Sequence, residues 1–307
     1  MYPVFRSLAL VLLLCCSSLT LAGPQVLTSI KPLQLIAAAV QEGVAEPDVL
    51  LPVGASPHHY ALRPSDMRRL QQAQLFYWIG PQLEGFLAKP LSSRTQPSLA
   101  LQDLPGLQLR YFAEAQDEHG EEEHDHDHQP GALDVHLWLS PSNAQVIAQR
   151  MADDLAAIDP SNAARYQSNL TAFSAQLDQL DQQIKSQLQP LHGKSYFVFH
   201  ETYDYFEQAY GLHHAGVFNV SAEVAPGARH VAALREQLKQ AGPSCVFSEP
   251  PLQPRLAQTL SAGLPVKLAE LDAMGGALAV NAQGYGQLLQ GLANGMTACL
   301  SEIPPAH

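Results

Sequence analysis

Thirteen histidines stand in this 307-residue chain, and they are not spread evenly. His58 and His59 lie in Gly-Ala-Ser-Pro-His-His-Tyr, and His136 lies in Asp-Val-His-Leu-Trp-Leu-Ser-Pro. His200 ends the apolar run Tyr-Phe-Val-Phe-His. Asp272 closes a similar run, Val-Lys-Leu-Ala-Glu-Leu-Asp. Each sits near a strand end or a strand-to-helix turn, and in open α/β sheets ligands bind beyond the carboxyl ends of the strands. Three imidazoles and one carboxylate make a closed tetrahedral set for Zn2+, a borderline-soft ion suited to nitrogen. Taken singly, each side chain has an ordinary reading as a satisfied turn or core residue. Their recurrence at four equivalent positions points to a metal.

A second group, His119, His124, His126 and His128, lies among Asp and Glu in residues 113–131. That segment has no apolar period and many like charges, so it reads as a mobile loop. Imidazoles mixed with carboxylates at short spacing bind zinc weakly and in several ways, although a solvated acidic linker has the same composition. His192, His213, His214, His230 and His307 read as structural. The chain has no His-Glu-x-x-His pair, no Gly-x-Ser-x-Gly elbow and no phosphate-cradling glycine loop. The chemistry is therefore binding rather than catalysis. A zinc enzyme with three histidines and an open water position needs a general base. Only Glu201 and Glu249 offer themselves for that role. Glu249, in Ser-Glu-Pro, can also support a ligand from behind, with nothing to make it a ligand itself.

The elements that carry these residues alternate. Residues 25–29, 48–53 and 75–79 read as strands, with helices at 33–40 and 64–73 between them. Such alternation indicates a parallel α/β sheet. A helix at 141–158 starts from Ser140 as its cap with Pro141 at the first position. A second begins after Asp159-Pro160 and carries Tyr166, Leu170, Phe173, Leu177, Leu180, Ile184 and Leu188 on one stripe. From 161 to 188 it spans roughly 42 Å, the length of a strut between two lobes, or of a dimerising coiled coil. Alternation then resumes, with strands at 195–199, 216–220, 245–248 and 266–271. Helices at 203–210, 229–240, 255–261 and 282–300 lie between and after them. The expected fold is thus α/β, two parallel-sheet lobes joined by a long rigid helix. The division is an N-terminal lobe at 23–157, a linking helix at 158–190 and a C-terminal lobe at 191–307.

Hydrophobic residues make up 46% of the chain, enough for globular cores, and its length suits two domains. The formal charge of -12 argues against nucleic acid and anionic membranes as partners. Arg6 followed by an apolar run at 8–16 and small residues up to Ala22 reads as a signal peptide, residues 1–22. The run is short for a membrane span. An uncleaved anchor or a lipoprotein is a weaker reading, since Leu13 and Leu14 precede Cys15. Beyond the leader only Cys245 and Cys299 remain. In an oxidising compartment they admit one intramolecular pairing, the alternative being two free buried thiols.

Several of these stretches together resemble the metal-specific solute-binding proteins of ABC importers. They are Leu51-Pro-Val-Gly-Ala-Ser-Pro-His-His-Tyr, Leu62-Arg-Pro-Ser-Asp, Asp134-Val-His-Leu-Trp-Leu-Ser-Pro, Phe197-Val-Phe-His with Tyr203-Asp-Tyr-Phe, Cys245-Val-Phe-Ser-Glu-Pro and Leu271-Asp. With the acidic His-rich insertion they cover essentially the whole mature chain, and they lie closest to the periplasmic zinc receptors. The resemblance implies metal bound between two lobes, with ligands falling on His58, His136, His200 and Asp272, and His59 left as a neighbour. Manganese-selective relatives carry Glu where His200 stands, so this position implies zinc. The resemblance also implies a Cys245–Cys299 disulfide, a periplasmic location and a membrane permease as partner, with the receptor itself a monomer. Some relatives are described instead as adhesins. Some zinc receptors carry Glu before the first ligand, where this chain has Pro57; that places more weight on Asp272 or a water.

Overall fold

The computed structural model describes residues 23–112, 131–219, 228–250 and 255–304. The leader at 1–22 and the loop histidines His119, His124, His126 and His128 lie outside these ranges. The first sheet comprises β1 (Val26–Thr28), β2 (Asp48–Val49), β3 (Leu75–Trp78) and β4 (Ser98–Ala100), in the order β2-β1-β3-β4. All its pairings are parallel. Three helices cross over between or beside these strands: α1 (Lys31–Val40), α2 (Pro64–Gln72) and the short α3 (Ala88–Ser92). β3 is buried along its whole length, as a parallel strand covered on both faces must be.

Two helices lead to the second sheet, α4 (Pro141–Ile158) and α5 (Ala163–Leu188). The Ser140 hydroxyl accepts the Asn143 amide at 3.3 Å, so the predicted cap of α4 is formed. The turn into α5 is built on Asp159, whose carboxylate accepts hydrogen bonds from Ser161, Asn162 and Tyr166 at 2.6–2.8 Å. A 3-10 turn, Pro160–Asn162, then leads into 26 helical residues. At 1.5 Å per residue that is about 39 Å. The apolar stripe of α5 is buried except at Leu180, which is half-buried.

The second sheet holds β5 (Tyr196–His200), β6 (Val217–Asn219), β7 (Ser244–Ser248) and β8 (Val266–Glu270), ordered β6-β5-β7-β8 and parallel throughout. Around it run α6 (Asp204–Tyr210), α7 (Ala228–Ala241) and α8 (Arg255–Ser261), followed by α9 (Gly284–Leu300). α9 does not stay with its own sheet, because it also packs on α1 and α5. One buried core therefore runs from Val26 to Ile303 across both lobes, while α7, α8 and the outer face of the second sheet enclose a smaller one. A disulfide between Cys245 on β7 and Cys299 pins α9 to the second sheet.

Two readings change at this level. Residues 48–53 form a paired strand only at Asp48–Val49, and Asp48 is exposed. The amides of Leu50 and Leu51 still bond to Thr28 and Ser29, but Pro52 has no N–H to continue and Val53 is 74% exposed. The sequence does not announce β4, because Ser98-Leu-Ala is short and only partly buried. Among the described residues no helix is long and apolar enough to cross a membrane.

Candidate metal centre

His58 lies on the bend that follows β2, at the carboxyl edge of the first sheet. His136 caps a 3-10 turn, Leu137–Leu139, that runs into α4. His200 is the last residue of β5. The fold brings the three rings together across the two lobes, tilted or edge-on at interplanar angles of 54–80°. Their centroids are 5.8 Å apart for His58 and His136, 5.5 Å for His58 and His200, and 5.3 Å for His136 and His200. One nitrogen from each lies within 4.8 Å of the other two. That spacing lets three nitrogens converge on one ion at the usual zinc–nitrogen distance of about 2.0–2.1 Å. His136 and His200 are 2% and 7% exposed, while His58 is half-buried.

Two of the rings are held from behind. Asp134 Oδ1 accepts both the backbone amide of His136, at 3.0 Å, and its Nδ1, at 2.9 Å. His200 Nδ1 lies 2.7 Å from the Thr202 hydroxyl, which itself donates to Glu249 Oε1 at 2.8 Å. In both rings Nδ1 is thereby the protonated nitrogen, and Nε2 is the one whose lone pair can be offered to a metal. A hydrogen-bonded outer partner of this kind fixes tautomer and ring orientation. Burial alone would raise Glu249, but hydrogen bonds from His200 and Thr202 outweigh it and hold this carboxyl below its usual range. Burial pushes Asp134 up to about 7, against the His136 amide and the Arg110 charge.

The base of the site is tied across the lobes. Tyr205 of α6 donates to the Asp134 carbonyl at 3.0 Å and accepts the Arg110 amide at 2.9 Å. The Trp138 indole donates to the Ala273 carbonyl at 3.0 Å, and within the second lobe Tyr203 donates to the Leu271 carbonyl at 2.8 Å. Asp272 stands outside the three-imidazole group. β8 stops at Glu270, and Asp272 turns into a loop where its Oδ1 accepts the Met274 and Gly275 amides and its Oδ2 accepts the Gly276 amide, all at 2.8–2.9 Å. Gly275 has φ 64°, the left-handed backbone this tight turn needs. His59 is exposed beside His58.

Sequence reasoning gave no role to Asp134 or Thr202. The signal was present, since both stand two residues from a candidate ligand, in Asp-Val-His and His-Glu-Thr. Two cavities, of about 330 and 270 Å³, lie elsewhere and are lined by none of the three histidines. Of the two candidate bases, Glu249 is engaged with Thr202. Glu201 is raised to about 6 by burial and by Asp204, and the charges acting on it include Asp204 and His214 as well as His200.

Two parallel-sheet lobes, a long linking helix and converging imidazoles define a metal-binding solute receptor, a non-enzymatic component of transport. Residues 26–299 match the family described as zinc-uptake complex component A, periplasmic, and the chain belongs to that family. The chain is 40% identical over 303 residues to the high-affinity zinc uptake system protein ZnuA of Yersinia pestis, covering 94% of this chain and 95% of that one. It is 38% identical to the protein of the same name from Haemophilus ducreyi, covering 92% and 95%. A mutant structure of the laminin-binding adhesin of Streptococcus agalactiae superposes with a TM-score of 0.75 at 20% identity, over 91% of this chain and 100% of that one. The adhesin likeness shows the fold alone.

Proposed function

We propose that this chain captures Zn2+ with high affinity in the periplasm and delivers it to an ABC-type zinc importer. The observation that carries the reading is the triangle of imidazoles, two of them buried and each of those backed by a hydrogen-bond acceptor. Zinc is cargo here, and His58, His136 and His200 hold it. Asp272 or a water completes the coordination, with Asp272 held at hand by its three amide bonds. Asp134 and the Thr202–Glu249 pair orient the rings and add negative charge behind them, which favours a dication. Bound metal also favours the ionised form of Asp134, the form that accepts from Nδ1. Residues 1–22 serve as the export signal and are removed. The receptor acts as a monomer that presents its loaded cleft to the permease, and the histidines of 113–131 hold further zinc weakly.

Competition with a chelator tests this. The mature protein should bind one tight equivalent, with weaker ones after it. His136→Ala or His200→Ala should abolish the tight class. Replacing His119, His124, His126 and His128 with Asn should spare it. Loss of the tight class on changing the loop alone would move the site out of the cleft and sink the reading.

A further inference from the structure

His214, which the sequence presents as a structural residue, is placed in a second group of metal-binding donors. Asp204 and Glu207 stand one turn apart on α6 and so share a face. His214 follows on the connection from α6 to β6. One donor atom from each lies within 4.8 Å of the others. His214 Nδ1 is 3.0 Å from both carboxylate oxygens of Glu207. Around a tetrahedral zinc with bonds of about 2.0–2.1 Å, neighbouring ligand atoms are about 3.3 Å apart. The imidazole and carboxylate are thus already at chelating distance, with one proton between them.

The surroundings are short of positive charge. Asp134 and Glu201 also act on this group, giving four carboxylates with Asp204 and Glu207. Among the described residues the fixed cation acting on this group is Arg110, 3.0 Å from Asp204 Oδ1 and 3.7 Å from Asp134 Oδ2. Among the described residues, two buried oxygens here have no hydrogen-bond partner, Asp204 Oδ2 and the Tyr196 hydroxyl, while Asp134 Oδ2 faces the equally unmet Arg110 Nε. Asp134 and Tyr196 are each 1% exposed, and burial first, with Glu207 beside it, raises the Tyr196 hydroxyl well above its usual range. Buried polar atoms are rarely left unmet, and each one asks for a reason.

We propose that Asp204, Glu207 and His214 form a second divalent-cation site, chemically distinct from the three-imidazole cleft and filled by zinc. One nitrogen and two carboxylates are a donor set that zinc accepts. On binding, the ion replaces the proton on His214 Nδ1, which leaves to solvent. The Tyr196 hydroxyl and Asp204 Oδ2 lie within reach as further oxygen contacts. The plain alternative is an ion-pair network in which protonated His214 and Arg110 balance the carboxylates with no metal.

The test uses the full mature chain with His136→Ala and the four loop histidines changed to Asn, so that neither the cleft nor the loop contributes. Zn2+ is titrated calorimetrically in two buffers of different ionisation heat, and Co2+ is followed by its visible absorption. One equivalent should remain, with release of about one proton. That equivalent should vanish with His214→Gln and, separately, with Asp204→Asn, which keeps an acceptor for Arg110. Circular dichroism and melting confirm that each variant is folded. In the parent itself, the His214 ring resonances should shift on adding Zn2+, a readout that needs no further substitution. No residual equivalent in the parent, or one that persists in both variants, overturns the proposal. A tight class surviving His136→Ala would count instead against the cleft reading, and the His214 resonances would still decide this one.

Discussion

Asp134→Asn isolates what the carboxylate behind His136 does for zinc. Asp134 is 1% exposed, and its Oδ1 takes both the amide and the Nδ1 of His136. Asn has nearly the same shape, so an oxygen can remain at 2.9 Å from Nδ1 and the ring need not move. What is lost is the charge that makes the imidazole a stronger donor to the metal. The new amide nitrogen also replaces Oδ2, which lies 3.7 Å from Arg110 Nε, so a donor comes to face a donor. Removing an outer partner of a ligating histidine lowers metal affinity about 10–100-fold. That corresponds to about 1.4–2.8 kcal/mol. The unfavourable contact with Arg110 places the expected loss in the upper half of that range. Chelator competition reads the change in Kd, and urea unfolding of the metal-free protein reads any general damage. If zinc affinity stays within about threefold of wild type in a folded variant, Asp134 does not act through His136 and the argument from orientation fails.

His200→Glu should move the zinc-to-manganese ratio of dissociation constants towards manganese, because a carboxylate can bind through both oxygens and raise the coordination number. It also brings a second negative charge near Glu249; an unchanged ratio would show that this position does not set selectivity. Reducing Cys245–Cys299, which are 54 residues apart, should cost roughly 4 kcal/mol of stability in the chain-entropy model while leaving zinc affinity nearly intact. Calorimetric melting with and without reductant checks it, and free thiols in the exported protein would refute the pairing. Glu84 is fully buried, and burial raises it to about 7 against hydrogen bonds from Ser29, Gly80 and Ile79. The native state therefore holds a proton that the unfolded chain releases near 4.5, so this group's contribution is fully present below about 4.5 and is lost as pH rises through about 7, on the order of 3 kcal/mol. Glu84→Gln should flatten that slope in urea midpoints measured at pH 5 and pH 8; an equal slope in both proteins would locate it elsewhere.

Much of the body was legible because its signals are local. Ser140-Pro141 caps a helix whatever surrounds it, and the stripe from Tyr166 to Leu188 can only be a helix with one buried face. His58, His136 and His200 could be grouped because each stands at an element end, where a parallel sheet exposes its ligand edge. The less legible parts depend on groups distant in sequence. Asp272 looks from the sequence like a strand-end ligand, and no residue there reveals that three following amides would engage its carboxylate. His214 looks like a lone polar residue before a strand, because its partners Asp204 and Glu207 precede it on a separate helix. β4 has too little apolar content to announce itself, and its place at the sheet edge comes from pairing with β3.

The three rings are not equally enclosed, and this bears on how quickly cargo can leave. His136 and His200 are rooted in elements bolted together by Tyr205, Trp138 and a shared core, so spreading the lobes would break many contacts at once. His58 stands on a short bend and is only half-buried. Segments with few buried contacts open at lower free-energy cost than elements packed in a core. On the ligand set proposed above, the donor with the least structure behind it is the one on the bend after β2. Lifting that short segment disturbs fewer contacts than parting the two rings joined through the shared core.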